Sequence, residues 1–182
     1  MLNIKNNIFK IVFSILLIAL TISCDEGGEP DPVNTTTVNY AGDWFIDLKD
    51  SDGATVASHV HHYSYNTSAN DNTLWIDDKG DGYEIKCKVN VDLTNGSISA
   101  TASPNIATNY DPTKPTTAVN NPVYATDTVT ITEGKIEKGT GLSKSGKIVD
   151  KISFKAHFSY DAPGYDILYN GHKRTGFLED EY

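Results

Sequence analysis

The chain has 182 residues, which is enough for one ordinary domain with a hydrophobic core. It carries 24 acidic and 15 basic residues, and its formal net charge at pH 7 is −9. Such a surface repels nucleic acid and anionic membranes, so neither DNA nor RNA is expected as a partner. The chain has only two cysteines, Cys24 and Cys87.

The first residues have the features of an export signal. Lys5 and Lys10 precede an apolar run over 11–22, which is shorter than the roughly 20 residues that a membrane-spanning helix needs. The segment Leu-Thr-Ile-Ser-Cys at 20–24 resembles a bacterial lipobox, in which the cysteine is lipidated and becomes the mature N-terminus. We therefore expect residues 1–23 to be a lipoprotein signal peptide and Cys24 to carry a membrane anchor.

An acidic, proline-bearing stretch follows the cysteine, and residues 24–39 are predicted to form a flexible tether. Its acidic start resembles the surface-export signals of Bacteroidetes lipoproteins. The expected location is the outer membrane of a bacterial cell envelope, with the periplasmic leaflet and the surface leaflet both open. The folded domain is predicted to span 40–182. With Cys24 used as the anchor, Cys87 is left alone and is expected to be a buried, inert thiol.

Strand patterns dominate the rest of the chain, and no convincing helix follows the leader. The clearest strand lies at 82–93, where apolar residues from Tyr83 to Val91 alternate with polar ones. Turn sequences such as Asn95-Gly96 separate the segments. The predicted strands cover 44–49, 55–65, 73–77, 82–93, 97–102, 123–133, 148–160 and 165–178.

Eight sequential antiparallel strands predict an all-β fold, an eight-stranded up-and-down barrel that removes exposed sheet edges by closing. A two-sheet β-sandwich is the alternative. A barrel of this size can hold its own side chains or one small ligand. The proline-bearing segment 103–122 interrupts the series of strands and is predicted to be a long loop. It could be a lid, a binding loop or simply mobile.

The first strand opens with Gly42-Asp43-Trp44, and this Gly-x-Trp sequence resembles the opening motif of lipocalins. In that family the tryptophan closes the barrel floor and stacks on an arginine from the end of the last strand. Arg174 is the only arginine of the chain and lies in the last predicted strand. The resemblance therefore implies a lipocalin-like barrel that is closed by Trp44 and Arg174.

The domain from about residue 40 to the end also resembles lipocalin-like lipoproteins of the Bacteroidetes, which are described as lipid-binding putative hydrolases. The resemblance rests on the lipoprotein start, on residues 42–44 and 145–154, and on the ending at 171–181. It implies a lipid-binding protein, and no catalytic residue carries over by motif.

Aromatic residues are the richest indication of a ligand site, because ten tyrosines and two tryptophans could line a pocket for a lipid or another amphipathic ligand. Ordinary barrel packing would use many of the same residues. The side chains predicted to face the pocket are Tyr63, Tyr65, Trp75, Tyr83 and Phe158.

Three further patterns bear on chemistry. His59 and His61 would share one strand face, and a zinc site would need a third ligand such as His157 or Glu84. The segment 77–82 resembles a calcium loop only faintly and is predicted to be a turn. No Gly-x-Ser-x-Gly motif is present. We therefore expect no metal, no cofactor and no motif-defined catalytic residue.

Three functions remain open. The first is a membrane-anchored lipoprotein that binds a small hydrophobic or amphipathic, lipid-like ligand in the barrel. The second is a lipid or ester hydrolase that uses the same cavity. The third is a non-catalytic accessory lipoprotein that acts through its surface. The barrel interior distinguishes them. An open apolar cavity would favour the ligand binder, and a cavity with Ser, His and Asp within hydrogen-bond reach would favour the hydrolase. Large aliphatic and aromatic side chains that fill the centre would favour the accessory lipoprotein.

Overall fold

The computed structural model describes residues 35–107 and 127–181. The predicted signal peptide, Cys24, most of the tether, and the part of the proline-bearing segment from residue 108 onward lie outside the described residues. Within the described ranges, no helix has the length and hydropathy needed to cross a membrane.

Eight antiparallel strands follow one another around a closed barrel, and β1 pairs with β8 to close it. The predicted eight-stranded up-and-down barrel is confirmed, and the sandwich is excluded. The strands are β1 (Gly42–Asp50), β2 (Thr55–Asn66), β3 (Thr73–Asp77), β4 (Lys86–Val91), β5 (Ser97–Pro104), β6 (Thr128–Leu142), β7 (Ile148–Phe158) and β8 (Ile167–Lys173).

We call the end where β1 begins the base and the opposite end the rim. A 3-10 turn, Val38–Tyr40, lies at the base, and the hydroxyl of Ser64 on β2 donates a 2.8 Å hydrogen bond to the Tyr40 carbonyl. Thr36 and Thr37 also bond to the β2–β3 region, at Asp71 and Asn66. Residues 35–39, assigned to the tether from the sequence, thus pack on the barrel.

β6 runs to Leu142, well beyond its predicted end at residue 133. The added stretch contains three glycines and lacks clear alternation, so the sequence pattern does not reveal it as strand. One of these glycines, Gly134, is required by packing, because a Cβ there would lie 2.3 Å from the carbonyl oxygen of Ile98 on β5. Only glycine permits this close approach of the two strands.

β4 begins at Lys86, later than predicted, because residues 82–85 belong to its connection with β3. Glu84 has a φ of 54°, outside the strand region. The amide side chain of Asn105 accepts the Lys86 N–H and donates to the Glu84 carbonyl, at 2.9 Å each. A residue after β5 therefore satisfies the backbone where β4 starts.

A β-bulge in β2 exchanges the inward and outward side chains in the second half of the strand. Ile46 of β1 pairs with Val60, but Leu48 pairs with Ala57, so β2 carries one extra residue between these pairs. His59, inside this stretch, has a φ of 53°. Because strand side chains alternate, the extra residue moves the later side chains of β2 to the face opposite the predicted one.

The barrel interior is apolar and almost fully buried. Trp44, Tyr169 and Phe158 are the largest fully buried side chains, and aliphatic residues from all eight strands pack with them. Cys87 belongs to this core as a free thiol, and burial raises its pKa to about 12. It is the inert, buried cysteine that its strand position predicts.

Trp44 closes the base, but its cationic neighbour is Lys173 rather than Arg174. Lys173 pairs with Trp44 across β1 and β8, and its ammonium lies 5.9 Å from the indole centroid. Arg174 is one residue further along, so it points elsewhere and bonds to Asp43 at 3.0 Å and Glu181 at 2.8 Å. The stack on Arg174 implied by the lipocalin resemblance is therefore replaced by a lysine.

Candidate functional site

The five predicted pocket residues divide between the two faces of the barrel wall. Phe158 is fully buried in the core, and Tyr83 packs against it with ring centroids 5.0 Å apart. Tyr63 and Tyr65 follow the bulge in β2 and alternate with the inward His62 and Ser64, so they lie on the outer face.

Trp75 also lies on the outer face, between the inward Leu74 and Ile76. The ammonium of Lys88 is 5.2 Å from its ring centroid. The prediction that Tyr63, Tyr65 and Trp75 face an interior pocket is wrong in this geometry. For the two tyrosines, the physical reason is the extra residue in β2.

Three buried polar side chains stand in the apolar interior, and we call them the inner polar group: His62 on β2, Asp78 just after β3, and Tyr169 on β8. Each is about 1% exposed. His62 Nε2, Asp78 Oδ2 and the Tyr169 hydroxyl have no hydrogen-bonding partner. Buried polar groups are nearly always paired, so three unpaired atoms in one place indicate a site.

Gly82 shows how near two of these atoms are to each other. A Cβ on Gly82 would lie 3.0 Å from Asp78 Oδ2 and 3.5 Å from His62 Nε2. Tyr169 completes the group, because its ring meets the His62 ring edge to face with centroids 5.5 Å apart. Both the imidazole and the carboxyl therefore pack closely against Gly82.

The hydrogen-bonding roles within the inner polar group follow from its surroundings. His62 Nδ1 lies 3.5 Å from the Val60 carbonyl, which can only accept, and this favours the tautomer that leaves Nε2 as an acceptor. Asp78 Oδ1 accepts the Gly80 N–H at 3.0 Å, which leaves Oδ2 as a second acceptor. The Tyr169 hydroxyl supplies a donor.

Burial sets the protonation of this group. Desolvation lowers the pKa of His62 to about 4, so its imidazole is neutral at pH 7. Desolvation also raises the pKa of the Asp78 carboxyl, against backbone N–H groups that favour its ionised form. The pKa of Tyr169 is raised well above its ordinary value by burial and by the charge of Asp78.

The lowered pKa of His62 predicts a loss of stability in acid. The unfolded chain takes up this proton near pH 6.5 and the folded chain only near pH 4, so the free energy of unfolding falls as pH drops through this window. We expect His62 to account for about 2–3 kcal/mol of loss between pH 7.5 and 4.5. Urea unfolding of the wild type and His62→Leu across this range measures the difference.

The matched control is His59→Gln, because His59 lies on the outer face with a side chain 42% exposed. This variant should keep the wild-type pH dependence. Equal slopes for wild type and His62→Leu would mean that His62 is not the group that takes up the proton.

An aromatic group lies at the rim and consists of Tyr83, Phe158 and Tyr160, with centroids 5.0–6.4 Å apart. The Tyr83 hydroxyl donates to Asp161 at 3.1 Å. Burial and this carboxylate raise the pKa of Tyr83 to about 12. Both rim tyrosines also add to the raised pKa of Tyr169.

A cavity of about 270 Å³ borders Asp78 from the rim side and is lined by the β3–β4 connection. Its lining includes the charged side chains of Asp77, Glu84 and Lys86. Asp77 and Lys86 pair at 3.1 Å. The cavity therefore borders the Asp78 side chain of the inner polar group.

The inner polar group has no activated nucleophile beside it among the described residues. The hydroxyl of Ser64 is used structurally, since it accepts the Trp44 indole N–H at 2.9 Å and donates to the Tyr40 carbonyl. The Cys87 thiol is un-ionised at neutral pH because of its raised pKa. The serines near residue 145 lie at the base, where Asp180 accepts the Ser145 N–H. A reaction here would have to use water.

The predicted histidine pair forms no metal centre. His59 and His61 lie on the outer face and approach Asp47 and Asp43 at 3.7 and 3.6 Å. Among residues 35–107 and 127–181, no three His, Cys, Asp or Glu side chains are grouped so that they could hold a metal ion. His157 pairs instead with Asp166 on another part of the wall, at 3.1 Å.

Sequence reasoning missed all three members of the inner polar group. His62 lies on the face of β2 opposite to the one predicted to point inward. Asp78 lies in the segment 77–82, which is predicted to be a turn. Tyr169 could have been predicted, because strand periodicity puts it on the same inward face as Ile167 and Gly171. A bulge and a turn hide the other two, since local alternation cannot reveal either.

The fold and the site together define a small lipocalin-like β-barrel, closed at its base and carrying a buried polar group within its apolar interior. The sequence model of the family described as lipid-binding putative hydrolase matches residues 29–178, and the chain belongs to this family. The curated proteins contain no match to the chain. Family and barrel together fit a lipid-binding role.

Proposed function

We propose that this protein is a membrane-anchored lipoprotein of the bacterial cell envelope that binds a small amphipathic, lipid-like ligand in its barrel. One observation carries the ligand proposal: the inner polar group has three buried polar atoms without a partner. Each such atom costs about 1–3 kcal/mol of stability. A ligand head group that pairs with these atoms recovers that free energy on binding.

The neighbouring aromatic group suits the rest of such a ligand. Tyr83 and Tyr160 pack over the buried Phe158 at the rim, and the exposed Tyr160 offers a ring on which an alkyl chain or a sterol-like body could pack. Two of these three, Tyr83 and Phe158, are residues that the sequence analysis assigned to ligand binding. This arrangement favours a ligand whose polar head group lies inside the barrel and whose apolar body points toward the rim.

The anchoring proposal rests on the lipobox-like segment that ends at Cys24, and the base of the barrel supports it. Four apolar side chains stand exposed there, Leu142 and Ile148 on the β6–β7 hairpin and Phe177 and Leu178 after β8. Ile148 is 74% and Leu178 91% exposed. Thr35 and the 3-10 turn that follows it lie at the same end, so an anchored barrel would turn this apolar surface toward the membrane.

These apolar side chains are held on one surface. Asp180, two residues after Leu178, accepts the Ser145 N–H at 2.6 Å and the Thr175 hydroxyl at 2.7 Å. Burial alone would raise the pKa of Asp180, but these hydrogen bonds lower it well below its ordinary value. The bonds tie the C-terminal turn to the tip of the β6–β7 hairpin.

Mass spectrometry of the full chain, extracted from bacterial membranes and kept native, tests both parts of the proposal. We expect acyl mass on the N-terminal cysteine, absent from Cys24→Ala, and one non-covalently bound lipid per chain. Tyr169→Phe should lower lipid occupancy about tenfold while leaving stability equal or higher, because it removes an unpaired buried hydroxyl.

A chain that is always free of lipid, even after incubation with envelope lipid extract, would overturn the ligand proposal. The accessory role through the protein surface would then be the better account. Unmodified Cys24 would overturn the anchoring proposal alone.

Hydrolysis of the bound ligand is the second candidate, and the unpaired Nε2 of His62 supports it. This nitrogen could accept a proton from water, which would replace the missing side-chain nucleophile, although burial lowers the pKa of His62 to about 4 and so weakens it as a base. The same native sample distinguishes the two functions. A bound ester that is released as acid and alcohol supports the hydrolase, and an intact lipid after long incubation supports the carrier.

A further inference from the structure

The exposed hydrophobic side chains of the barrel are concentrated at its base. Among the described residues, nine large hydrophobic side chains are at least 38% exposed. Three of them are spread over the rim and the wall. The other six lie at the base: Val38, Leu93, Leu142, Ile148, Phe177 and Leu178. Single exposed hydrophobic residues are ordinary on protein surfaces, but a group at one end indicates an interaction surface.

Four of these six protrude furthest, and we call them the basal apolar group. Leu142 and Ile148 flank the tip of the β6–β7 hairpin, and Phe177 and Leu178 follow β8. The least exposed of the four is Phe177, at 56%. Side chains this exposed make few contacts within their own chain. A protein partner would need a matching hole for each of them, whereas the interface of a bilayer accommodates apolar side chains without a matching shape.

A buried carboxylate holds the basal apolar group in place. Asp180 is 1% exposed, and both of its oxygens accept hydrogen bonds, one from Ser145 of the hairpin and one from Thr175. At the hairpin tip, Lys144 donates to the Glu181 carbonyl at 3.0 Å. Burying a carboxylate is costly unless hydrogen bonds compensate for the lost water. The C-terminal turn is therefore fixed against the hairpin and is not a frayed end, so its apolar side chains stay exposed at defined positions.

The proposed anchor puts a bilayer within reach of this end. Cys24 precedes Thr35 by eleven residues in the sequence, and Thr35 bonds to the 3-10 turn at the base. Eleven residues span at most about 40 Å. The net charge of −9 gives no attraction to an anionic surface, so a contact with lipid must depend on apolar side chains.

We infer that the basal apolar group penetrates the surface of a bilayer and docks the barrel on it through contacts that do not need the acyl chains. The docked barrel stands on its base, with the rim pointing away from the lipid. This inference rests on the proposed location at a membrane and goes beyond anchoring through Cys24, because it gives the folded barrel a lipid contact of its own.

Flotation with vesicles tests the docking on a chain that carries no lipid. This chain starts at residue 24, carries Cys24→Ala and keeps the whole described barrel. We expect it to float with phosphatidylcholine vesicles. Binding should persist at high salt concentration, because salt screens contacts between exposed charges and does not weaken the burial of apolar surface.

Two double variants identify the surface that binds. Ile148→Ser combined with Leu178→Ser removes the two most exposed side chains of the base and should lower vesicle binding by at least about tenfold. Val56→Ser combined with Leu168→Ser makes the same kind of change at the rim and on the wall, and should bind like the parent chain. Circular dichroism verifies that both variants are folded.

A parent chain that stays unbound, while Cys24 is acylated in the full chain, would overturn the docking and leave the anchoring standing. Equal binding by the parent and the Ile148 and Leu178 variant would overturn the role of the base. A dimer that this variant abolishes, in a chain that does not bind vesicles, would assign the surface to a second copy instead. Vesicle binding by the parent with Cys24 unmodified in the full chain would support the docking and overturn the anchoring alone.

Discussion

Replacement of Trp44 by alanine is expected to lower the free energy of unfolding by about 3–5 kcal/mol. The indole is 1% exposed and fills the base of the barrel. Its N–H also donates to Ser64, whose hydroxyl in turn holds the Tyr40 carbonyl. The truncation therefore leaves a cavity, and the Ser64 hydroxyl loses the donor that it accepts from, in the layer that closes the barrel. Urea unfolding of the chain without its leader measures the change.

Trp44→Phe helps to separate the two contributions, because it removes the N–H but keeps one aromatic ring and most of the buried volume. We expect about half the loss or less, since most of the buried apolar volume remains. A loss below 1 kcal/mol for Trp44→Ala would contradict the role of Trp44 as the closing side chain.

The second large effect is expected at Gly171, where the barrel closes. Gly171 pairs with Ile46 across β1 and β8, and a Cβ there would lie 2.2 Å from the Phe45 carbonyl oxygen and 2.7 Å from Ile46 Cγ1. The backbone carbonyl cannot move away without separating the closing strands. We expect Gly171→Ala to cost about 3 kcal/mol, at the upper end of overpacking effects. Thermal unfolding followed by circular dichroism measures it.

Asn170→Ala is the matched control, because it adds no atom and lies at the next position of the same strand, on the exposed outer face. This variant should unfold within about 0.5 kcal/mol of the wild type. A stable Gly171→Ala with wild-type unfolding would mean that β1 and β8 are separated more widely than in the described barrel.

The inner polar group lowers the stability of the fold, whereas the layer around Trp44 that closes the base raises it. Trp44 and its partners are fully paired, as structural groups are, whereas His62, Asp78 and Tyr169 keep unpaired atoms at a cost. Proteins retain such a cost mainly where function requires it, because most positions can reach a better-satisfied alternative. The Tyr169→Phe variant tests this contrast, because we expect it to lose bound lipid while its stability stays equal or rises.

Much of the fold could be read from the sequence, because alternation of apolar and polar residues is a local property. The apolar residues of β4, β7 and β8 predict their strands and their inward faces, and the buried Cys87 follows from the same pattern. The number of strands and the closed barrel follow from eight such segments in series. The family resemblance rests on short motifs that are equally local, and residues 29–178 match the family.

Only the tertiary structure decided the site. Alternation counts residues along one strand and cannot detect an extra residue that appears only in the pairing of β2 with β1, so His62 replaced Tyr63 and Tyr65 on the inner face. One residue of register likewise placed Lys173, rather than Arg174, beside Trp44. The inner polar group joins β2, β8 and the β3–β4 connection, and side chains so far apart in sequence meet only through the closure of the barrel.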